Sequence, residues 1–283
     1  MTAAKPGGRG TPAMIQATDR NHLREQYRAA SKLDARVALH QRFGTARIGW
    51  HRWVFDQLDL PPDARVLEPG CGPGQLWVQN LDRLPAGWQV TLSDLSLGMV
   101  KQARRNLASS GHPFAYEQFD AQALPFADGS FDAVVANHML YHVPDRDKTY
   151  AEVRRVLKPG GRFYAATNSR GNMRQIADLE DRLGFTSDLG AFSREKGFFF
   201  LENGEAELKA WFARVTIHRQ EEALVVTEAQ PLIDYILSGV NGAGLTEEKL
   251  GSLRASVEAE ISDKGVFRID KITGLFVAER GLA

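Results

Sequence analysis

Short apolar runs and longer amphipathic segments alternate along the middle of the chain. Segments with helical periodicity occupy residues 75–84, 97–109 and 147–157. Five runs have the length and composition of buried strands, at residues 65–68, 90–93, 114–119, 131–137 and 162–167. Because strands that alternate with helices pair through right-handed crossovers, the pattern predicts an α/β fold with a doubly wound, Rossmann-like, mostly parallel sheet.

The chain before this core has a different pattern. Residues 1–18 are rich in glycine, proline and alanine, and we expect them to form a disordered leader. Residues 19–60 have apolar side chains at three- and four-residue steps and are predicted to form a helical lid. The core itself is expected to span residues 61–168.

The C-terminal part, residues 169–283, is predicted to complete a seven-stranded sheet. Two further strands are expected at residues 212–219 and 272–279. The segments from about 170 to 205 and from about 228 to 266 have a less regular, largely helical pattern. We interpret them as cap insertions that cover a pocket at the carboxyl edge of the sheet.

Composition restricts the class of protein. Hydrophobic residues make up 43% of the 283 residues and charged residues 25%, as in soluble globular proteins. The 35 basic and 35 acidic residues balance, which argues against a nucleic-acid binder and favours a small, neutral or weakly charged partner. The single cysteine, Cys71, excludes an internal disulfide, and no apolar stretch is long enough to span a bilayer. We therefore expect a cytoplasmic protein, monomeric or homodimeric, without a nucleic-acid or membrane partner.

A glycine-rich turn follows the first predicted strand. Gly70, Gly72 and Gly74 would let the backbone turn tightly and approach a ligand beside a helix N-terminus. Asp94 ends the second strand, 20 residues after the last glycine, where a carboxylate can accept both hydroxyl hydrogens of a ribose. An ordinary strand–helix turn would also explain the glycines. The turn and the acid together predict a nucleoside-binding site, although the spacing departs from the G-x-G-x-x-G pattern of dinucleotide folds.

The motif E-x-G-x-G-x-G over residues 68–74 resembles the first motif of class I S-adenosylmethionine-dependent methyltransferases. Residues 93–106, 119–143 and 153–167 are similar to later segments of the same family. The resemblance covers the chain from about residue 63 to residue 168. It is nearest to the small-molecule branch that includes ubiquinone and menaquinone methylases and natural-product tailoring enzymes.

The resemblance implies residues that hold the methionine end of the cofactor. Gly70 and Gly72 would pack against the methionine moiety, and Glu68 would fix its ammonium group. Tyr27 and Arg36, in the N-terminal helices, would face its carboxylate.

The nucleoside end is assigned in the same way. Asp94 would hold the ribose, and Leu95 and Met99 would lie against the faces of the adenine. Asp120 and Ala121 would meet the adenine edge after the third strand.

Two histidines are candidate proton acceptors. The sulfonium cofactor already makes its methyl carbon electrophilic, so a base is needed only for a hydroxyl or a protonated amine. Asn137 and His138 end the fourth strand, where the resemblance places them near the sulfonium, and His142 follows four positions later. The spacing also occurs in metal sites, but Met139 stands where zinc proteases have a glutamate. We therefore expect no metal, and a hydrogen-bonded wall or loop is the alternative role for both histidines.

Aromatic residues outside the cofactor motifs are candidates for an acceptor pocket, because a rigid ring offers a large apolar contact surface. The candidates are Trp50, Tyr141, Phe192, Phe199 and Tyr235. Packing in the core is the alternative for each of them.

These features together predict an enzyme that transfers a methyl group from S-adenosylmethionine to a nitrogen or oxygen atom of a small metabolite or natural product. An RNA or protein methyltransferase shares the cofactor motifs, but the balanced charge disfavours it. An NAD(P)-dependent oxidoreductase shares the α/β pattern, but the glycine spacing disfavours it. A non-catalytic cofactor-binding protein is the remaining alternative.

Overall fold

A seven-stranded sheet organises the computed structural model, which describes residues 38–187, 197–240 and 245–282. The strand order is β3-β2-β1-β4-β5-β7-β6; the pairs among β1 to β5 are parallel, and β7 runs antiparallel to both of its neighbours. The predicted doubly wound, mostly parallel sheet is confirmed. The strands are β1 (Arg65–Pro69), β2 (Gln89–Asp94), β3 (Ala115–Gln118), β4 (Phe131–Asn137), β5 (Leu157–Asn168), β6 (Arg214–Val226) and β7 (Phe267–Glu279).

Several predictions lie outside the described residues. They are the leader at 1–18, the lid up to residue 37, and the candidate side chains Tyr27, Arg36 and Phe192.

Helices pack on both faces of the sheet. None of those in the described residues is both long and apolar enough to cross a bilayer. A short helical segment occupies residues 38–43. The α-helices that follow it are α1 (Trp50–Asp56), α2 (Gln75–Val78), α3 (Leu97–Asn106), α4 (Arg146–Val156), α5 (Arg174–Leu183), α6 (Leu201–Lys209), α7 (Ala229–Ser238) and α8 (Glu247–Lys264).

Two helices differ from their predictions for local reasons. The helix expected over residues 75–84 ends at Val78, because the Asn80 side chain donates to the Leu76 carbonyl oxygen at 2.6 Å. The Asn80 backbone N–H turns to Trp77 instead, which breaks the helical ladder. Helix α6 runs from Leu201 to Lys209, past the predicted end of the first cap insertion at about residue 205; it begins where the Asn203 side chain accepts from the Phe200 N–H at 2.7 Å and closes the first turn.

The last two strands form a hairpin that extends beyond the rest of the sheet. Pairing between β5 and β7 ends at Asn168 and Thr273, whereas β6 and β7 stay paired as far as Val226 and Phe267. Both strands are therefore longer than predicted. The reason is burial: the alternate apolar residues of this extension pack against helices instead of against the sheet.

The buried residues fall into three clusters. Two lie on opposite faces of the sheet, because neighbouring residues of a central strand, such as Val134 and Val135 of β4, belong to different clusters. The third joins the segment 38–43 and helices α5, α7 and α8 to the hairpin extension, and we call this assembly the cap. Its members include Leu39, Phe43, Ile176, Leu179, Leu224, Val226, Ile236, Leu253, Val257, Phe267 and Ile269.

Candidate active site

The glycine turn after β1 has one position that faces open space. Gly70, Gly72 and Gly74 all have left-handed φ angles, of 65°, 52° and 78°. A Cβ at Gly70 would lie 2.8 Å from the Met139 side chain, and one at Gly74 would lie 3.2 Å from Leu107. A Cβ at Gly72 would meet nothing within 4 Å. The packing therefore excludes side chains at Gly70, whereas Gly72 leaves room that a ligand could use.

Asp94 links the end of β2 to this turn. Its carboxylate accepts from the Gly72 N–H at 3.0 Å and from the Ser96 N–H at 2.8 Å. The Ser96 side chain in turn accepts from the Met99 N–H and caps α3. The carboxylate is thus held in place beside the open position of the turn.

An apolar surface borders the Asp94 carboxylate. Leu95, Leu97 and Met99 are 67%, 46% and 41% exposed, although large apolar side chains are usually covered. Beyond them, Asp120 is exposed and accepts from Gln122, and Ala121 is buried. Asp94 and Gln118 are paired at the ends of β2 and β3, so the predicted nucleoside residues follow two neighbouring strand ends, and the exposed apolar side chains there would suit the face of a planar ring.

Glu68 is a buried acid behind the turn. Its carboxyl group accepts from the Trp77 indole N–H at 2.6 Å. Burial raises the pKa of Glu68 to about 8, with a smaller contribution from the Asp94 charge, although the Trp77 hydrogen bond opposes the shift. The carboxyl group is therefore largely protonated at neutral pH. Burial also raises the pKa of the Cys71 thiol, so this cysteine is not an activated nucleophile.

A second feature, a cavity of about 720 Å³, lies between the carboxyl edge of the sheet and the cap. We call it the acceptor cavity. Trp50, His138 and Tyr235, which the sequence predicted from separate parts of the chain, all line it, together with Asn168 at the end of β5. Its volume is within the range typical of small-molecule sites.

The end of β4 forms the wall nearest the glycine turn. The Asn137 side chain accepts from the Trp50 indole N–H at 3.0 Å, and the Trp50 and His138 rings lie 4.9 Å apart. His138 has a φ of 57°, an uncommon conformation for a residue with a side chain. Such backbone strain is found where the surrounding structure holds a side chain in a particular place.

The segment 38–51, which we call the lid segment, is held over the cavity by β6. The Thr45 N–H donates to the Ala223 carbonyl oxygen at 2.9 Å, and the Ala223 N–H donates to the Thr45 hydroxyl at 2.9 Å. Gly44 forms a bridge with Leu224 directly beside these bonds. The docking brings two further histidines, His40 and His51, to the cavity.

Burial keeps the three cavity histidines neutral. It lowers the pKa values of His40, His51 and His138 to about 4, and the Lys271 charge adds to the effect on His40 and His138. Neutral imidazoles can accept protons at physiological pH. Sequence reasoning missed His40 and His51, because no motif surrounds them and only the docking of the lid segment brings them to the site.

Three other candidates lie elsewhere. His142 is exposed in the short turn Leu140–His142, and Tyr141 packs against Phe198 with ring centroids 6.2 Å apart. Phe199 is completely buried in the core against Phe276, so the structure corrects its assignment to the pocket wall. His138 and His142 are also not on one helix, and the described residues contain no group of three or more possible metal ligands.

Comparison with known proteins identifies the part of the chain that carries the turn. Residues 67–165 match the family described as "Methyltransferase domain". This range includes the glycine turn, Asp94 and the ends of β3 and β4. Residues 67–165 thus form a methyltransferase domain. The resemblance of the sequence motifs to that family is thereby confirmed.

Curated relatives of this methyltransferase domain differ in the atom they methylate. The ubiquinone/menaquinone biosynthesis C-methyltransferase UbiE of Pectobacterium carotovorum is 32% identical over 145 residues, which are 50% of this chain and 57% of that protein. The malonyl-[acyl-carrier protein] O-methyltransferase of Erwinia pyrifoliae is 35% identical over 129 residues, 46% of this chain and 47% of that protein. The chain thus spans about half the length of these relatives.

Among solved structures, a candidate methyltransferase of Bacillus halodurans C-125 has the same fold. Its TM-score is 0.58 at 18% identity, and the match covers 82% of this chain and 99% of that one. The Rossmann-like methyltransferase fold therefore extends well beyond residues 67–165.

Proposed function

We propose that the chain catalyses S-adenosylmethionine-dependent transfer of a methyl group to a nitrogen or oxygen atom of a small organic acceptor. The observation that carries the proposal is the open space at Gly72, whose N–H donates to the Asp94 carboxylate. Both residues lie in the part of the chain that matches the methyltransferase domain. The acceptor cavity begins at the neighbouring strand end.

The residues around the turn fit this cofactor. Asp94 has carboxylate lone pairs beyond those used by the Gly72 and Ser96 N–H groups, so it can also accept from ribose hydroxyls. The exposed side chains of Leu95 and Met99 offer an apolar surface to adenine. When bound, S-adenosylmethionine supplies an electrophilic methyl group. The chain then has to orient the acceptor and exclude water.

His138 is the proton acceptor in this proposal. It lines the cavity at the end of β4, and burial keeps its imidazole neutral. With a pKa of about 4 it is too weak a base for an ammonium group, but it can take the proton of a hydroxyl group, which becomes strongly acidic as its oxygen receives the methyl group. His142 lies on the exposed side of the following turn, so His138 is the stronger candidate of the two. Proton removal matters only for acceptors that carry a proton on the methylated atom.

The shape and charge of the cavity favour a small-molecule partner. Residues of the lid segment and the cap line it, and its volume of about 720 Å³ suits an isolated acceptor better than a polymer. We further propose that the protein acts in the cytoplasm, as a monomer or homodimer, and without a metal.

Calorimetric titration with S-adenosylmethionine, S-adenosylhomocysteine and NADH tests the cofactor. We expect micromolar binding of both sulfur nucleosides and none of NADH. Binding of NADH alone would contradict the proposal and favour a redox enzyme. Tight binding of the sulfur nucleosides without turnover of any acceptor would favour a non-catalytic binding protein.

A further inference from the structure

A buried ion pair forms part of the acceptor cavity. Glu222 on β6 and Lys271 on β7 lie directly opposite each other, in the hairpin extension just beyond the last pair of β5 and β7. The Lys271 ammonium group donates to the Glu222 carboxylate. The two side chains are only 17% and 9% exposed, and both line the cavity.

The pair has unused hydrogen-bonding capacity. An ammonium group has three donors and a carboxylate has about four acceptor sites, but among the described residues the only side-chain partner of each is the other. Taking two charges out of water is costly, and an apolar pair of similar size is often at least as stable. An opposite-charge pair on facing strands stabilises a sheet only modestly, so stability of the fold is a weak reason for an ion pair at this largely buried position, whereas recognition of a ligand is a specific one.

The rest of the cavity wall is electrically neutral. Among the described residues that line it, Glu222 and Lys271 alone carry full charges, because His40, His51 and His138 remain unprotonated above about pH 4. The buried Nδ1 atom of His40 also has no hydrogen-bond partner among the described residues. The wall thus offers hydrogen-bond donors and acceptors, and the charges of Glu222 and Lys271 cancel.

We propose that the Glu222–Lys271 pair anchors a hydroxyl group of an uncharged, ring-bearing acceptor. This inference rests on the proposed function for the identity of the cavity. A hydroxyl group can donate to the Glu222 carboxylate and accept from the Lys271 ammonium at the same time. An anionic group would lie beside Glu222 and a cationic group beside Lys271, and either would leave an excess charge in a buried site. The aromatic residues Trp50 and Tyr235 line the same cavity and would contact the remainder of the molecule.

Three probes with the same ring system test the anchor. They are 2-naphthol, 2-naphthoate and 2-naphthylmethylammonium, which carry a neutral, a negative and a positive group. Their affinities for the full chain would be measured by calorimetry, with and without S-adenosylhomocysteine. The variants are Glu222→Gln and Lys271→Met, and Lys264→Met is the control because Lys264 forms an exposed pair with Glu260 on α8.

For the wild-type chain and the control, we expect 2-naphthol to bind at least about tenfold more tightly than either charged probe. Glu222→Gln should weaken 2-naphthol and strengthen 2-naphthoate, whereas Lys271→Met should weaken 2-naphthol and strengthen 2-naphthylmethylammonium. A merely structural role of the pair would not change the charge preference in opposite directions. No binding of 2-naphthol at its solubility limit, equal affinities for the three probes, or an unchanged preference in both variants would overturn the proposal.

A double variant, Glu222→Leu with Lys271→Met, keeps the test valid if a single variant does not fold. The apolar pair leaves no buried charge, and we expect this protein to fold and to lose its preference for 2-naphthol. A retained preference would overturn the proposal. Failure to bind S-adenosylhomocysteine, with the preference for 2-naphthol intact, would contradict the proposed function but support the anchor.

Discussion

Gly72 allows the cofactor site to be tested with a matched control. Alanine at Gly72 would add a methyl group to open space and would strain a left-handed backbone by roughly 1–2 kcal/mol. Gly111 has the same left-handed backbone, with a φ of 71°, and open space around it, but it lies away from the turn. We expect Gly72→Ala and Gly111→Ala to lower stability similarly, whereas Gly72→Ala alone weakens S-adenosylhomocysteine binding at least about tenfold.

Denaturant unfolding and calorimetric titration of the two variants measure these effects. Equal cofactor affinities in the two variants would mean that the ligand does not approach Gly72.

A second consequence at the residue scale concerns the proton on Glu68. A cationic ammonium group close to this buried carboxyl would lower its pKa from about 8, so binding S-adenosylmethionine at about pH 7 should release up to one proton. Calorimetry in buffers with different ionisation enthalpies counts the released protons. The variant Glu68→Gln, which keeps an acceptor for the Trp77 indole, should release none. The same proton release in both proteins would mean that Glu68 does not lie close to the ammonium group of the cofactor.

At the scale of elements, the lid segment depends on a glycine at the end of its short helix. A Cβ at Gly44 would lie 2.6 Å from the His40 carbonyl oxygen, so the backbone would have to move. We expect Gly44→Ala to lower the free energy of unfolding by roughly 1–3 kcal/mol and to displace His40.

Gly251→Ala in α8 is the matched control for the lid segment. A Cβ there meets nothing within 4 Å, and alanine should stabilise the helix by roughly 0.5–1 kcal/mol. Urea unfolding measures whether the free energy of unfolding falls in Gly44→Ala and rises in Gly251→Ala. A Gly44→Ala protein as stable as the wild type would mean that the lid segment tolerates a shift at this point.

The elements also show where prediction from sequence works and where it stops. The five core strands and the glycine turn follow from local patterns: four strands have ends within one or two residues of the predicted ones, and β5 begins five residues earlier than predicted. Helix α2 is shorter than predicted because of one hydrogen bond from the Asn80 side chain, and the spacing of apolar residues does not predict such a bond. The acceptor cavity depends on contacts between distant segments: His40, Glu222 and Lys271 meet only because the lid segment docks on β6 and the hairpin extends beyond β5.

At the scale of the whole molecule, buried titratable groups predict how stability changes with pH. His40, His51 and His138 have pKa values of about 4 in the folded chain, against an ordinary value of 6.5. Between these values the unfolded chain binds more protons, so each histidine makes the free energy of unfolding rise with pH by up to about 1.4 kcal/mol per unit. Glu68 acts in the opposite direction from about pH 4.5 to pH 8, because the folded chain keeps its proton.

At about pH 6.5 the histidines of the unfolded chain are still half protonated, so their slope persists to about pH 7.5 and offsets part of the opposite slope of Glu68. We therefore expect maximal stability near pH 7 and a net loss of about 0.5 kcal/mol between there and about pH 8. Urea unfolding at about pH 5, 6.5 and 8 measures both slopes. In Glu68→Gln the alkaline loss should disappear while the acid slope remains, because the amide cannot titrate and the three histidines are unchanged. Between about pH 6.5 and pH 8 the free energy of unfolding should change by roughly 1.5 kcal/mol more unfavourably in the wild type than in Glu68→Gln, and an equal change in both proteins would show that Glu68 is already ionised in the folded chain.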